Sequence, residues 1–591
     1  MNVNLTFLGL VGLMAASVSS SVLHLYRMEY PDAFHTLPQF SYGQSIAICT
    51  TGIAIMLIFI YHSLSTLKLL ALQIPRIPSS LPFLGHGIRF MQTSPWDLLL
   101  CWHKRYGSVI CFPLMGRTVV SIASPTYLKL ILQSKIRHVK KDLGFSYHPF
   151  LVILGKGIVT SEGESWMKQR LKMSTALRKD VLDIIPQITL EAVQRLMNKL
   201  DHAAQHQRPV ELSEALRHLT LQVISKAFLS LTADESDSTF ATMYLPIVDE
   251  CNTRIWQPWR SICIFMPFWW KHLYHVYRLD SYVSTLIQQR WQERCNTTTI
   301  RTTDMLDIVL DAHDKELPKT KSLTSDAIRQ MRDEMKTFML AGHETSAAMM
   351  TWAMYEMMGH DQLMKEVSDT PSFGVGVQST IDSFLEIYIM SLTKLQSPFQ
   401  LPSFSFQVAT EGEAVFGRPS SMDWSGKSAA DLPTQDSLAN LVVAEATLKE
   451  SLRKYSVVPL VVRHCVNPIE MGPYTLTKGT TLIINIQAVH HNPNIWPDPM
   501  RFDPHRFIDK RPEPHTFLPF IEGPRNCLGQ HLALLESKMV LGLLTQRYHF
   551  EIANNEKVQT ELHGALDHDP RHRYIVPVSV KKDLFINVTR K

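Results

Sequence analysis

The distribution of charge along the chain divides it before any motif does. Residues 1–23 carry no charge but are diluted by Ser and Asn, while residues 45–67, "SIAICTTGIAIMLIFIYHSLSTL", are uncharged and more apolar in their first half. A spanning helix needs roughly 20 such residues. The second stretch is therefore the better candidate span; the first is a weaker one, or a signal-like segment without a basic leader. Arg27, Glu29 and Asp32 lie between them, and Lys68, Arg76, Arg89, Lys104 and Arg105 follow the second. This asymmetry predicts an N-terminal anchor over residues 1–73, of one or two spans, with the bulk of the protein on the cytoplasmic side. "IPRIPSSLPFLGHG", residues 74–87, carries Pro75, Pro78 and Pro82. Proline fixes φ and removes donors, so a stiff non-helical elbow is expected there.

Beyond the elbow the apolar positions recur mostly at three and four. Examples are "DVLDIIPQITLEAVQRLMNKL", "SYVSTLIQQRWQERC" and "DAIRQMRDEMKTFMLAGHETSAAMMTWAMYEMM", each reading as helix. Short β-type runs such as "GTTLIINIQAV" come late. The expectation is one large domain over residues 74–591, mainly α with minor β, without internal repeats. Apolar residues make up 45% and charged residues 19% of the 591, so most of the chain should fold. The net charge of +5, without Lys/Arg runs, does not suggest nucleic-acid binding. It suits an enzyme that meets an acidic protein or a membrane surface.

The eight cysteines are dispersed, with no C-x-x-C pair, which argues for a reduced compartment. Most read as small buried apolar residues. Cys527 stands apart, in "FLPFIEGPRNCLGQH". A thiolate becomes a good iron ligand where positive or dipolar surroundings hold its charge. Gly523 and Gly529 let backbone approach a flat group and point N–H donors at the sulfur. Arg525 is placed to pair with a cofactor carboxylate, and Phe520 to pack beside a ring. "HLALLESKMVLGLL" reads as a helix starting just after the cysteine, its N-terminus towards the sulfur. A lone cysteine so placed fits haem, with the opposite face left for oxygen.

Phe520, Gly523, Arg525, Cys527 and Gly529 resemble the haem-binding signature of the cytochrome P450 superfamily. Other elements follow in that family's order. "WMKQR" resembles its W-x-x-x-R element, which implies Trp166 and Arg170 at the haem propionates. "AGHETS", residues 341–346, resembles the oxygen-binding motif of the central helix. "KESLR" supplies an E-x-x-R pair, Glu450 and Arg453, and "WPDPMRFDPHRF" resembles the segment whose arginine, here Arg506, completes a buried network with that pair. Isolated E-x-x-R pairs are common on exposed helices; the placement makes this one informative. Arg463 lies where relatives put a further propionate partner, with His464 beside it.

The resemblance implies a cytochrome P450 fold and haem b held by Cys527. It implies a monooxygenase that places one atom of O2 into a C–H bond of a lipophilic substrate, with electrons from an NADPH-dependent flavoprotein reductase at an endoplasmic reticulum membrane. Thr345 would hold a hydrogen bond at the oxygen site, Glu344 would relay protons as a carboxylic acid, and Gly342 would leave room for oxygen. Thr345 also suits a helical threonine bonding back to a carbonyl, which is compatible. The motifs look most like the branch of microsomal fatty-acid hydroxylases. Many of those carry an esterified glutamate where this chain has Ala341, so non-covalent haem is expected. The alternatives are an oxygen-independent isomerase or dehydratase of the same fold, and a catalytically impaired haem-binding membrane protein.

Two stretches stand outside this pattern. "RIWQPWRSICIFMPFWWKHLY", residues 254–274, is either a membrane-dipping access lip or aromatic core. Residues 367–407 are apolar, Ser-rich and without period, an odd loop for a compact domain. Removing these 41 residues leaves "QLMKEVATEGEAVFGRP", an ordinary helix ending. Val-Ser can be encoded GTAAGT and Phe-Gln TTTCAG, a splice donor and acceptor. The segment is thus either a retained in-frame intron or a genuine insertion, which loops tolerate at modest entropic cost.

Overall fold

The computed structural model describes residues 50–52, 56, 72–177, 182–296, 304–314, 322–369, 403–417, 435–553 and 584–591, apart from single or paired breaks at 79, 82–83, 145 and 509. The first candidate span, all of the second except residues 50–52 and 56, and most of the 367–407 segment lie outside the described residues. No helix among the described residues is long and apolar enough to cross a membrane. The chain divides into two compact units, one of residues up to Ile122 with Arg463–Ile483, the other of Ala123–Val462 with Ile484–Lys591.

The first unit is built on the antiparallel strands Val109–Leu114 and Arg117–Ile122, with Val109 opposite Ile122 and Leu114 opposite Arg117. A helix, Pro95–Tyr106, has Pro95 at its start and Ser94 accepting from the Asp97 N–H. Its Trp102 meets Phe112 edge-on at 5.1 Å. The proline-rich elbow is less free than its composition suggests. Cys111 N–H donates to Pro75 O at 2.9 Å and Ile77 N–H to Cys111 O at 3.0 Å, so the elbow is stitched to the first strand. Gly85, at φ +58°, abuts that strand too closely for a side chain, since a Cβ would lie 2.0 Å from Pro113 O.

The second unit is helical, as the periodicity predicts. Its principal helices are α1 (Gly163–Ala176), α2 (Ile185–Gln205), α3 (Leu212–Leu229), α4 (Ala241–Trp256), α5 (Pro267–Asn296), α6 (Ser325–Asp369), α7 (Phe404–Phe416), α8 (Val442–Tyr455) and α9 (Gln530–Arg547). In α2 the buried side chains run Ile188, Ala192, Val193, Leu196, Met197 and Leu200, the single apolar stripe of a helix on a core. The centre of α6 is buried all round through Met358, which explains why its apolar positions are so dense. Helix α3 starts at a carboxylate cap, Glu211 accepting from the N–H groups of Ser213 and Glu214. A three-stranded sheet has Phe585–Arg590 between Val210–Glu211 and Tyr548–Ile552, with Ile586 opposite Ile552.

The aromatic stretch 254–274 is not core. Phe265 is 93% exposed and Ile262 77%, and Trp259, Met266, Trp270 and Tyr274 are also exposed, continuing to Tyr277.

Candidate active site

Cys527 ends an irregular loop immediately before α9. Its N–H donates to Phe520 O at 2.9 Å, closing the loop. Two backbone features enforce the turn. Gly523 takes φ +82°, and a Cβ there would lie 2.3 Å from Leu132 O; Ile521 is also held at positive φ, a conformation β-branched residues rarely adopt. Gly529, the residue before α9, faces open space where its Cβ would be. Burial pushes the Cys527 thiol above its ordinary value, while the backbone N–H groups of Gly529 and Gln530 and the Arg170 guanidinium pull it down. The helix-end donors anticipated from sequence are therefore present at the sulfur.

Arg170 and Arg525 flank this loop and both have protein partners. Arg170, on α1, donates to Asn526 O at 2.6 Å and Asn526 Oδ1 at 2.5 Å. Arg525 donates to Ser161 O at 3.0 Å and pairs with Glu162 at 2.5 Å, with its guanidinium 4.1 Å from the centre of the Trp166 ring. The W-x-x-x-R pair thus clamps the cysteine loop, one residue by stacking and the other by a bidentate hydrogen bond. Phe520 is half-buried against the main core.

The E-x-x-R pair lies on α8, and both side chains are fully buried. Arg453 donates to Glu450 at 2.7 and 2.8 Å, to His490 O at 3.0 Å and to Arg501 O at 3.2 Å. Glu450 also accepts from Asp503 N–H at 2.9 Å, and Arg506 Nε stands 3.5 Å from it. All three residues come together as the motif order implied. Sequence reasoning missed His490. Its ring stands between Ser456 Oγ, 3.0 Å from Nδ1, and Leu518 N–H, 2.8 Å from Nε2, so the network reaches the cysteine loop through an imidazole.

On α6, Thr345 Oγ1 donates to Ala341 O at 2.6 Å, the back-bond expected of a helical threonine. Ala341 is exposed although the surrounding helix is buried. A Cβ on Gly342 would lie 2.8 Å from Ile224 Cδ1, so the glycine serves the contact between α6 and α3. Glu344 is buried and has a partner on another helix. Arg217 of α3 pairs with it at 2.7 Å and with Glu214 at 3.0 Å. No motif contains Arg217. Around this pair the ring nitrogens of His343, Tyr244 Oη and Arg217 Nε are buried without a hydrogen-bond partner among the described residues. Burial lowers the His343 pKa to about 4. Arg463 belongs to the first unit, where it is buried in strand Leu460–Cys465.

These residues fit a haem. Cys527 is exposed at the surface of its loop, its sulfur receives backbone donors, two guanidinium groups flank the loop, and no metal-binding cluster of His, Cys, Asp or Glu occurs among the described residues.

The comparisons with known proteins agree. The profile of the family described as Cytochrome P450 matches residues 75–369 and 426–576. The chain is 25% identical to Cytochrome P450 4c21 of Blattella germanica, over 86% of this chain and 93% of that protein. It is 26% identical to human Cytochrome P450 4F3, over 80% and 84% respectively. It is 23% identical to Protein LUTEIN DEFICIENT 5, chloroplastic, of Arabidopsis thaliana, over 76% and 68%. A single cysteine that receives backbone donors, its arginine clamp and the buried glutamate–arginine network, with the family profile matched over three quarters of the sequence, place this chain in the cytochrome P450 family of haem-thiolate monooxygenases.

Proposed function

We propose that the protein hydroxylates a fatty acid or related lipid at a membrane, drawing electrons from an NADPH-dependent flavoprotein reductase. When bound, the haem supplies oxygen activation and C–H oxidation. The chain's own residues hold the cofactor and move protons. Cys527 is its ligand, supported by the Gly529 and Gln530 N–H groups. Trp166, Arg170 and Arg525 are the residues for its acidic side arms. In that role Arg170 and Arg525 exchange part of their present hydrogen bonding for cofactor carboxylates.

The observation that carries the reading is Glu344, buried one residue from Thr345 and tied to Arg217. A carboxylate held by a guanidinium can release that partner and carry a proton to the threonine hydroxyl. Glu214, half-exposed, links Arg217 to solvent. The unpartnered polar atoms of His343 and Tyr244 are suited to hydrogen-bonding ordered water along this route. An oxygen-independent isomerase has no use for such a relay.

Membrane association rests on the exposed aromatic run around Phe265 and Trp270, bordered by Lys271 and Arg278, an amphipathic surface suited to a lipid interface. Localisation to the endoplasmic reticulum with the catalytic unit on the cytoplasmic side follows from this reading and the charge asymmetry after residue 67.

The test is incubation of the haem-loaded protein with reductase, NADPH, a fatty-acid panel and isotopically labelled dioxygen. One labelled oxygen in a hydroxylated product, dependent on NADPH, is expected. A rearranged product formed without NADPH or dioxygen would replace this reading. The reduced carbon-monoxide spectrum accompanies it: the red-shifted Soret band of thiolate ligation should vanish in Cys527→Ser.

A further inference from the structure

We infer that Val367–Gln407 interrupts what is properly a single helix, and that the chain without these 41 residues is the form built for this fold. The argument rests on residues 403–408, the end of α6 and the space between them.

Helix α7 begins at Phe404 with Ser403 as its cap. From Val408 onward it suits its site: Val408, Gly412 and Phe416 are buried. Gly412 sits so close to α9 that a Cβ would lie 2.5 Å from Gly542 O. The turn before Val408 does not suit its site. Phe406 is 60% exposed, and Ser403, Ser405 and Phe406 line a cavity of about 350 Å³ whose other walls include Met354, Met357, Met358, Tyr548 and Phe550. A phenylalanine is left largely in water at the rim of this cavity, and two serines line it beside three methionines.

Removal of the segment joins Glu366 to Val408. With the helix register kept, Glu366 takes the place of Gln407, Lys365 that of Phe406, Met364 that of Ser405 and Leu363 that of Phe404. Two of these exchanges improve the match. The exposed position receives lysine, and the cavity-facing position receives methionine, a flexible side chain suited to filling irregular space. The half-buried position of Phe404, 6.3 Å from the Phe502 ring, receives leucine.

The ends lie on one cavity: Met358 and Ser403 both line it, and Gly359, His360 and Asp361 would turn the chain between the two helices. Gly suits the residue after a helix end, while in this register the cap position of Ser403 falls to Gln362, with Asp361 one residue before it. In the full chain α6 instead runs through Gly359 to Asp369, 45 residues in all, although its continuous burial stops at Met358. The family match has its gap at residues 370–425, which holds nearly all of the segment and also the residues of α7 beyond Val408.

The test compares the full chain with a chain lacking 367–407, and adds Ser405→Met in the full chain. Thermal unfolding followed by intrinsic fluorescence reads the packing independently of haem chemistry. The expected result is a midpoint higher by roughly 2–4 °C or more in the shortened chain, with higher haem content, and a smaller rise for Ser405→Met. Transcript reads joining the codons of Glu366 and Val408 are expected. A shortened chain that melts at or below the full one, or fails to fold while the full chain does, overturns the inference. Absence of the thiolate band from both forms refutes the monooxygenase reading, while the melting comparison still decides this one.

Discussion

His490 links the buried glutamate–arginine network to the cysteine loop, and its replacement tests whether that link holds the loop in place. The ring is fully buried and stacked on Phe517 at 5.5 Å. Leu518 N–H donates to Nε2, so the proton sits on Nδ1 and is donated to Ser456 Oγ. His490→Leu keeps most of the volume but strands the Leu518 N–H, which costs about 1–3 kcal/mol. The Ser456 hydroxyl retains Arg453 O at 3.5 Å as an acceptor and adds less. The expected loss is about 2–3 kcal/mol, a large share of the roughly 5–15 kcal/mol that stabilises a domain. The side chains that replace it distinguish its two contacts. A glutamine oxygen reaches as far as Nε2 and can accept from Leu518; an asparagine oxygen reaches only as far as Nδ1. His490→Gln should therefore recover more stability and haem content than His490→Asn, measured by denaturant unfolding and the carbon-monoxide spectrum. Burial and the nearby Arg453 hold the imidazole well below its ordinary pKa of 6.5. A lowered folded pKa means that the unfolded chain takes up the proton first, so this group's stability is complete above pH 6.5 and declines as the pH falls. At one pH unit lower, the advantage of wild type over the Gln variant should shrink by about 1.4 kcal/mol. Leu, Asn and Gln variants equal to wild type within about 0.5 kcal/mol would refute the link.

Three further outcomes follow from the same geometry. Arg217→Ala leaves Glu344 buried without its partner; product formation should fall by about 10²-fold while the carbon-monoxide band keeps its position, and unchanged turnover would remove Arg217 from the proton route. Arg453→Ala should cost about 3–5 kcal/mol, because Glu450 is left buried and largely uncompensated, and the protein should fail to retain haem on gel filtration. His218, flanked by Asp237 and Glu214, has its pKa raised to about 9, so its contribution is present below pH 6.5 and is lost as the pH rises through about 9; thermal midpoints measured from pH 6 to 10 should decline less steeply in His218→Gln.

What the sequence disclosed, and what it withheld, follows from how each feature is encoded. The cysteine loop was legible because its chemistry is local: a ligand, two glycines and an arginine within ten residues have few other reasons to occur together. The helices were legible because burial of one face imposes a period. Arg217 was not legible, since it meets Glu344 across 127 positions and sits on α3 as an ordinary charged residue with Glu214 at i−3. His490 was hidden for the opposite reason, because a histidine inside an apolar run looks the same whether or not both ring nitrogens are engaged. The aromatic stretch after Arg254 admitted two readings because composition is blind to side; only the fold shows that Phe265 and Ile262 face outward. Arg170 and Arg525 show a subtler limit. Their charges were read as meant for a cofactor's acid groups, yet the chain gives both of them protein partners around the cysteine loop. Such guanidinium groups have five donors each, enough to hold the loop and still offer hydrogen bonds to a carboxylate. The same side chains can therefore keep the loop shaped before the cofactor arrives and bind it afterwards, which is how a site of this kind remains preorganised through cofactor loading.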